Sequence, residues 1–173
     1  MIELQAGLGH AVRASWSSYV DRLARDPAGP RRFLGSTPAG RDLIAHFDEV
    51  LRGHGPAEVI TRDLVHGDMN TSNVLVTDRH VSAIVDIEAI GSGTRAVDYA
   101  WLLREGFTVG APAADLEMIR RAGVRAADPA VFATCVAATA FDISVFEAQV
   151  AGSTEPAAPL VRVLHALADF VHM

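Results

Sequence analysis

Lysine is absent from the sequence: all 15 basic residues of the 173-residue chain are arginine, and 21 residues are acidic. The arginines form no cluster denser than two adjacent pairs, Arg31-Arg32 and Arg120-Arg121. Because DNA- and RNA-binding proteins normally neutralise phosphates with a positive face, the net charge of −6 disfavours a nucleic-acid partner. The same charge is compatible with a cationic small molecule. Any mechanism that requires a lysine must obtain it from outside these residues.

The sequence has a single cysteine and no recognisable secretory signal. The single cysteine, Cys135, has no disulfide partner within the chain, so we interpret it as a small core residue in a reducing, cytoplasmic protein. The N-terminus lacks a basic segment followed by an apolar one, and we therefore expect no secretory signal. The longest apolar stretch, residues 131–150, is interrupted by two acidic residues. It predicts a buried helix and no membrane span.

The spacing of hydrophobic residues predicts a single α+β domain that is predominantly helical. We expect Thr37 to cap the second helix, Gly53 and Gly55 to end it, Gly123 to end the fourth, and Asp128-Pro129 to open the fifth. The predicted helices cover residues 10–25, 38–53, 99–104, 113–121, 129–150 and 160–171.

Short runs rich in valine and isoleucine occupy the region between Asp63 and Asp86 and predict short strands. The turn at residues 77–80 would join the second and third runs as a hairpin, within an element of two or three strands. Asn73 and Asp86 would then lie near the same end of the hairpin.

Three polar residues in this region have a spacing that suits phosphoryl transfer. The segment VHGDMNTSNVLV contains Asp68 and, five positions later, Asn73, and Asp86 follows thirteen positions after that. Phosphoryl transfer requires a group that orients an attacking hydroxyl and oxygen ligands that hold Mg²⁺ against the phosphates. One carboxylate can accept the hydroxyl proton while an amide oxygen and a second carboxylate bind the metal. Taken singly, Asp68 and Asn73 are ordinary turn residues, so only the joint spacing indicates chemistry.

The segment that begins at His66 resembles aminoglycoside phosphotransferases and choline-kinase-like enzymes, which have a protein-kinase-like fold. The family pattern His-Gly-Asp, four residues, Asn, one residue, Leu matches the chain from His66 to Leu75. Residues 85–88, Val-Asp-Ile-Glu, are similar to the metal-binding aspartate motif that follows in these enzymes. Gly93 and, after four residues, Asp98-Tyr99-Ala100 are similar to the next family motif.

The resemblance implies a role for each matching residue. Asp68 would be the catalytic base, Asn73 and Asp86 would bind Mg²⁺, and ATP would be the co-substrate. His66 would brace the loop through hydrogen bonds. Asp98 would cap backbone groups of the loop or of the next helix, with a direct catalytic role as the alternative.

Two neighbouring features have competing interpretations. Glu88 could face the metal, because alternate strand residues share a face, or it could be a solvent-exposed or structural carboxylate. The segment Gly91-Ser92-Gly93-Thr94 looks like a phosphate cradle, but the resemblance aligns it with a plain loop, and we interpret it as a turn.

The resemblance also implies a small lobe whose lysine pairs with the ATP phosphates. The residues before His66 are predicted to form two helices instead, and the sequence contains no lysine. Residues 1–173 are predicted to be the large C-terminal lobe alone, and no ATP-binding residue is assigned. Its parts would be a helical segment at 1–60, a catalytic and metal-binding segment at 61–98, and a helical substrate-side subdomain at 99–173. A fragment, a natural truncation and one subunit of a split enzyme are all compatible with this prediction.

Two functions of different class follow. The first is transfer of the ATP γ-phosphate to a hydroxyl of a small molecule, with an amino sugar, a choline-like alcohol, a peptide antibiotic and a plain sugar all open. Asp142, Glu147 and Glu155 are candidate contacts for a cationic antibiotic. The second is a non-catalytic remnant that binds a small molecule or a partner.

Both functions predict an apolar surface, left where a lobe is missing, that favours a homodimer or a covering partner. A third interpretation is a metal-dependent hydrolase, whose ligands Asp68, Asp86, Glu88 and Asp98 would have to converge on a two-metal site.

Overall fold

A computed structural model describes residues 20, 29–55, 63–153 and 155–172. Within these residues the chain is mostly helical, as predicted, with four short strands. The predicted helix at residues 10–25 lies outside the described residues except for Val20, which is buried. In chain order the elements are α1 Pro30–Leu34, α2 Pro38–His54, β1 Asp63–Val65, β2 Val74–Thr77, β3 His80–Ile84, β4 Gly91–Gly93, α3 Ala96–Val109, α4 Ala113–Ala126, α5 Pro129–Val150 and α6 Ala158–His172.

The two longest helices begin at the capping signals read from the sequence. The Thr37 side chain accepts a hydrogen bond from the Gly40 N–H at 3.1 Å, and Pro38 occupies the first turn of α2. Asp128 does the same for α5, accepting from the Val131 N–H at 2.8 Å. Each bond satisfies a donor that the helix itself leaves unpaired, which is why such residues favour helix starts.

Helix α5 is the centre of the core. It packs against each of the other five described helices, and the Phe141 ring meets Phe47 of α2 edge to face, with centroids 5.4 Å apart. By length and composition α5 could cross a membrane, but 72% of its most apolar window is buried inside the protein. It is a buried helix, as predicted. Cys135 is fully buried in it, and burial raises the pKa of its thiol.

The strands form two separate antiparallel pairs among the described residues, and no three-stranded element is present there. In the β2–β3 hairpin, Val74 faces Ile84 and Thr77 faces His80. Asp78 and Arg79 adopt positive φ in the turn, the backbone that suits a two-residue hairpin. The Val85 N–H extends the ladder by donating a hydrogen bond to the backbone oxygen of Asn73 at 3.0 Å. Asn73 and Asp86 therefore lie at the same end of the hairpin, as predicted.

Two predictions about glycine are wrong. Residues Gly91–Gly93 are not a turn: they form β4 and pair with β1, Val65 facing Gly91. Gly123 does not end a helix, because α4 continues to Ala126. A Cβ at Gly123 would lie 2.2 Å from the Phe132 ring, so the glycine allows α4 to approach α5 closely.

Candidate active site

The loop after β1 is attached to α3 through Asp98. The two carboxylate oxygens of Asp98, in the first turn of α3, accept hydrogen bonds from the backbone N–H groups of His66 at 3.0 Å and Gly67 at 2.9 Å. Burial raises the pKa of the Asp98 carboxyl, while these two hydrogen bonds act in the opposite direction. Gly67 has a φ of 84°, a backbone that glycine adopts without strain. The chain can therefore turn sharply into Asp68.

The His66 ring joins this loop to the strand end that precedes Asp86. Its Nε2 lies 2.9 Å from the backbone oxygen of Val85. Because a carbonyl only accepts hydrogen bonds, Nε2 must carry the proton. The other ring nitrogen, Nδ1, is buried and has no partner among the described residues.

A 3-10 turn at Thr71–Asn73 completes the loop and is held from two sides. On one side, the Asn70 side-chain oxygen accepts from the N–H groups of Ser72 at 3.0 Å and Asn73 at 3.2 Å. On the other, the Glu105 carboxylate on α3 accepts from both the N–H and the hydroxyl of Thr71. The loop is thus bonded to α3 at both of its ends.

Asn73 presents an oxygen that could bind a metal. Its buried side chain donates from Nδ2 to the backbone oxygen of Asp68 at 2.9 Å. This pairing fixes the orientation of the amide, and Oδ1 makes no hydrogen bond with any described residue. Asp86 is exposed and adopts a left-handed backbone, with φ 59° and ψ 54°. The pair offers one amide oxygen and one carboxylate, which are the hard oxygen ligands that Mg²⁺ prefers.

The carboxylates required by the hydrolase interpretation do not converge. No group of three or more His, Cys, Asp or Glu side chains in the described part of the chain could hold a metal ion. The Asp98 carboxylate is already used by the loop backbone, and Glu88 is exposed. A two-metal site made of Asp68, Asp86, Glu88 and Asp98 is therefore contradicted.

A cavity of about 450 Å³ opens beside Asp68. It lies between the loop, α3 and α5. Two of the acidic residues considered for a cationic substrate, Asp142 and Glu147, line it together with Asp68. Glu155 lines a neighbouring cavity of about 600 Å³ at the end of α5, which Glu147 also lines. The remaining lining residues are Gly67, Asn70, Ala89, Trp101, Arg104, Ile143 and Phe146.

Two lining residues on α3, Trp101 and Arg104, were not predicted. The guanidinium carbon of Arg104 lies 4.8 Å from the centroid of the Trp101 ring. Burial lowers the pKa of Arg104, and the charges of Glu105, Asp68 and Glu147 oppose that change. The one sequence signal was their spacing: Trp101 follows Asp98 by three residues and Arg104 follows Trp101 by three, so each side chain neighbours the one before it on the helix.

The sequence profile of the Phosphotransferase enzyme family matches residues 10–134, which is more than half of the chain. The chain belongs to this family. The resemblance inferred from the motifs is thereby confirmed, and phosphotransferases of this family use ATP. The matched range includes His66 to Asp98 and both cavity residues of α3, while Asp142 and Glu147 lie beyond it.

Structural comparison finds the macrolide 2'-phosphotransferase MphH from Brachybacterium faecium, solved as the apoenzyme. The sequences are 20% identical and the TM-score is 0.49, over 95% of this chain and 52% of MphH. The chain thus spans about half the length of MphH. Comparison with curated proteins gives no significant match.

Proposed function

We propose that this chain is the acceptor-binding and metal-binding part of an enzyme that transfers the γ-phosphate of ATP to a hydroxyl group of a small molecule. The observation that carries the proposal is the position of Asp68. Its side chain lines a cavity that could hold a small molecule, and its backbone oxygen is bonded to Asn73, at the same end of the hairpin as Asp86. An acceptor site and a metal site would therefore adjoin one short loop.

Asp68 would accept the proton of the acceptor hydroxyl as the phosphate is transferred. The Asn70 side-chain amide lies 3.3 Å from Asp68 Oδ1 and would hold the carboxylate in one orientation. The bonds of His66, Asp98 and Glu105 would keep the loop rigid around it.

Asn73 and Asp86 would hold the metal, through the Asn73 side-chain oxygen and the Asp86 carboxylate. When bound, Mg²⁺ would neutralise charge on the ATP phosphates. The left-handed backbone of Asp86 favours aspartate over most residue types. Few other residues would therefore fit the position of this proposed metal ligand.

The lysine that pairs with the ATP phosphates would come from outside these 173 residues, which contain none. The β2–β3 hairpin exposes large apolar side chains at Leu75, Val76, Val81 and Ile84. Exposed apolar patches commonly mark contact surfaces. A lysine-bearing lobe of the same polypeptide or a lysine-bearing partner chain would cover the patch and supply the lysine, whereas a second copy of this chain would cover the patch without supplying one.

The acceptor would be a cationic hydroxyl compound. Among the described lining residues, Asp68 and Glu147 alone outnumber the one guanidinium, that of Arg104, and this excess of negative charge favours a positively charged ligand. An amino sugar, a choline-like alcohol and a peptide antibiotic satisfy this condition better than a plain sugar does. Phosphorylation of such a compound in the cytoplasm would be a route to antibiotic resistance.

Titration of ATP and Mg²⁺ into the purified chain, followed by calorimetry, tests the proposal. We expect Mg²⁺-dependent nucleotide binding that Asp86→Ala abolishes and that Glu88→Ala, an exposed carboxylate two residues away, leaves unchanged. Asp68→Asn should retain binding but lower kcat by about 100-fold to 10,000-fold with any acceptor that turns over. Failure of the folded chain to bind ATP at millimolar concentration would contradict an active lobe and favour a non-catalytic binding remnant.

A further inference from the structure

We infer that Trp101 and Arg104 form a second contact for the acceptor, in which their N–H groups bind a neutral oxygen of that molecule, such as a hydroxyl, an ether or a carbonyl oxygen. The inference rests on the proposed function, because it assigns the cavity beside Asp68 to the acceptor. It adds a specificity contact on the α3 side of that cavity.

The first argument is an imbalance of hydrogen-bond donors. Within the part of the chain that the structure describes, three buried side-chain nitrogens have no hydrogen-bond partner: His66 Nδ1, Trp101 Nε1 and Arg104 Nε. Two of the three belong to residues that line the cavity with Asp68. Buried polar groups are nearly always paired in folded proteins. Two unpaired donors in one cavity wall therefore indicate a ligand that supplies acceptors.

The chemistry of the two groups specifies the ligand atom. An indole nitrogen and a guanidinium only donate hydrogen bonds, so their partner must be an acceptor oxygen. Residues three apart on a helix are neighbours, and the Arg104 guanidinium lies over the Trp101 ring. Packing of this kind holds both donors in place before a ligand binds.

The charge of the cavity decides between a neutral and an anionic oxygen. Among its described lining residues, Asp68 and Glu147 alone outnumber the single guanidinium, that of Arg104. The negative charges of Glu105, Asp68 and Glu147 raise the pKa of Arg104, which shows that these carboxylates lie near it. None of them is hydrogen-bonded to Arg104. An anionic ligand would meet this surplus of negative charge. A neutral oxygen would satisfy the donors without that repulsion.

A comparison of two small amines tests the inference without ATP. D-glucosamine and cyclohexylamine are both six-membered rings with one primary amine, but only glucosamine carries hydroxyl and ring oxygens. We expect glucosamine to shift the Trp101 indole N–H signal in a proton–nitrogen NMR spectrum and to bind about threefold to tenfold more tightly than cyclohexylamine, the range expected for one hydrogen bond. Trp16→Phe assigns the signal, because the chain has only two tryptophans.

Two variants examine the donors one at a time. Trp101→Phe keeps an aromatic ring and removes the N–H, and Arg104→Lys keeps the charge and removes the planar guanidinium. Each should reduce the preference for glucosamine over cyclohexylamine to about twofold or less. Arg121→Lys is the control, since Arg121 is an exposed residue of α4 paired with Glu117, and it should keep the full preference.

Three results would overturn the inference: no indole shift up to the solubility limit of glucosamine, equal binding of the two amines, and tighter binding of gluconate than of glucosamine. The last result would mean that Arg104 binds a carboxylate.

Failure of the proposed function is distinguishable from all three. Glucosamine selectivity in a chain that shows no Mg²⁺-dependent ATP binding would sink the phosphotransferase proposal alone. Transfer to an acceptor with the same kcat/KM in Trp101→Phe and Arg104→Lys would sink only this inference.

Discussion

Asn73 donates a hydrogen bond from its side-chain amide to the backbone oxygen of Asp68 at 2.9 Å. One side chain thus supports the loop that carries the proposed base and leaves its own oxygen available for a metal. Asn73 is buried, and a substitution there leaves the Asp68 backbone oxygen with only the longer bond from the Asn70 amide, at 3.3 Å. The structural and functional consequences of Asn73 can be separated by experiment.

Asn73→Ala should lower the free energy of unfolding by about 0.5–1.5 kcal/mol, because the loop loses one hydrogen bond. Urea denaturation measures this loss, and nucleotide titration in the presence of Mg²⁺ should show loss of metal-dependent binding. Glu88→Ala is the control, at an exposed position, and it should change stability by no more than about 0.5 kcal/mol. Wild-type stability in Asn73→Ala would show that the bond to Asp68 contributes nothing.

The pH dependence of stability provides a test of the Asp98 contact. Burial raises the pKa of the Asp98 carboxyl above its ordinary value of 3.8, so the folded protein binds this proton more tightly than the unfolded chain does. The contribution of Asp98 to stability is therefore greatest below the unfolded-state pKa and decreases as pH rises through the folded-state pKa. This pH dependence is opposite in sign to that of a carboxylate in a salt bridge, whose contribution to stability increases as pH rises.

Comparison of wild type with Asp98→Asn isolates this titration from that of the other carboxyl groups. The stability of the wild type relative to the variant should fall as pH rises above the ordinary carboxyl pKa of 3.8. Urea denaturation at several pH values gives the difference. An opposite slope would mean that the hydrogen bonds from His66 and Gly67, rather than burial, dominate the pKa of Asp98.

Glu105 should restrain the 3-10 turn that contains Asn73, because one carboxylate oxygen accepts from both donors of Thr71. In Glu105→Ala, hydrogen exchange of the Thr71 backbone amide should become about tenfold faster or more, since bonds to a charged acceptor are stronger than neutral ones. The Val131 amide, bonded to Asp128 in α5, is the internal control. Unchanged exchange at Thr71 would mean that other contacts hold the turn.

Much of the loop geometry was predictable because its determinants are local. The segment from His66 to Asp86 is continuous, and its hairpin places Asn73 and Asp86 at one end whatever the rest of the chain does. The starts of α2 and α5 were equally readable, since Thr37 and Asp128 cap helices within three residues of their own position. Local hydrogen bonds of this kind leave a signature in residue type and spacing.

Features that depend on distant packing were not predictable. The β1–β4 pair joins segments almost thirty residues apart, and Gly-Ser-Gly has a low strand propensity. The cavity wall was missed for the same reason. Trp101 and Arg104 are ordinary residues of an amphipathic helix until α5 brings Asp142 and Glu147 opposite them. Gly123 belongs to this group, because its role depends on Phe132 of another helix.

The close approach of α4 and α5 at Gly123 yields a test of that packing. A Cβ at this position would lie 2.2 Å from a ring carbon of Phe132, so Gly123→Ala should force the helices apart and cost about 1–3 kcal/mol of unfolding free energy. Gly53, in the last turn of α2, is the matched control: its added Cβ would contact only His172, at 3.5 Å. Gly53→Ala should instead raise stability by up to about 1 kcal/mol through helix propensity. Thermal and urea denaturation of the two variants should therefore move in opposite directions, and a stabilised Gly123→Ala variant would contradict the close contact with Phe132.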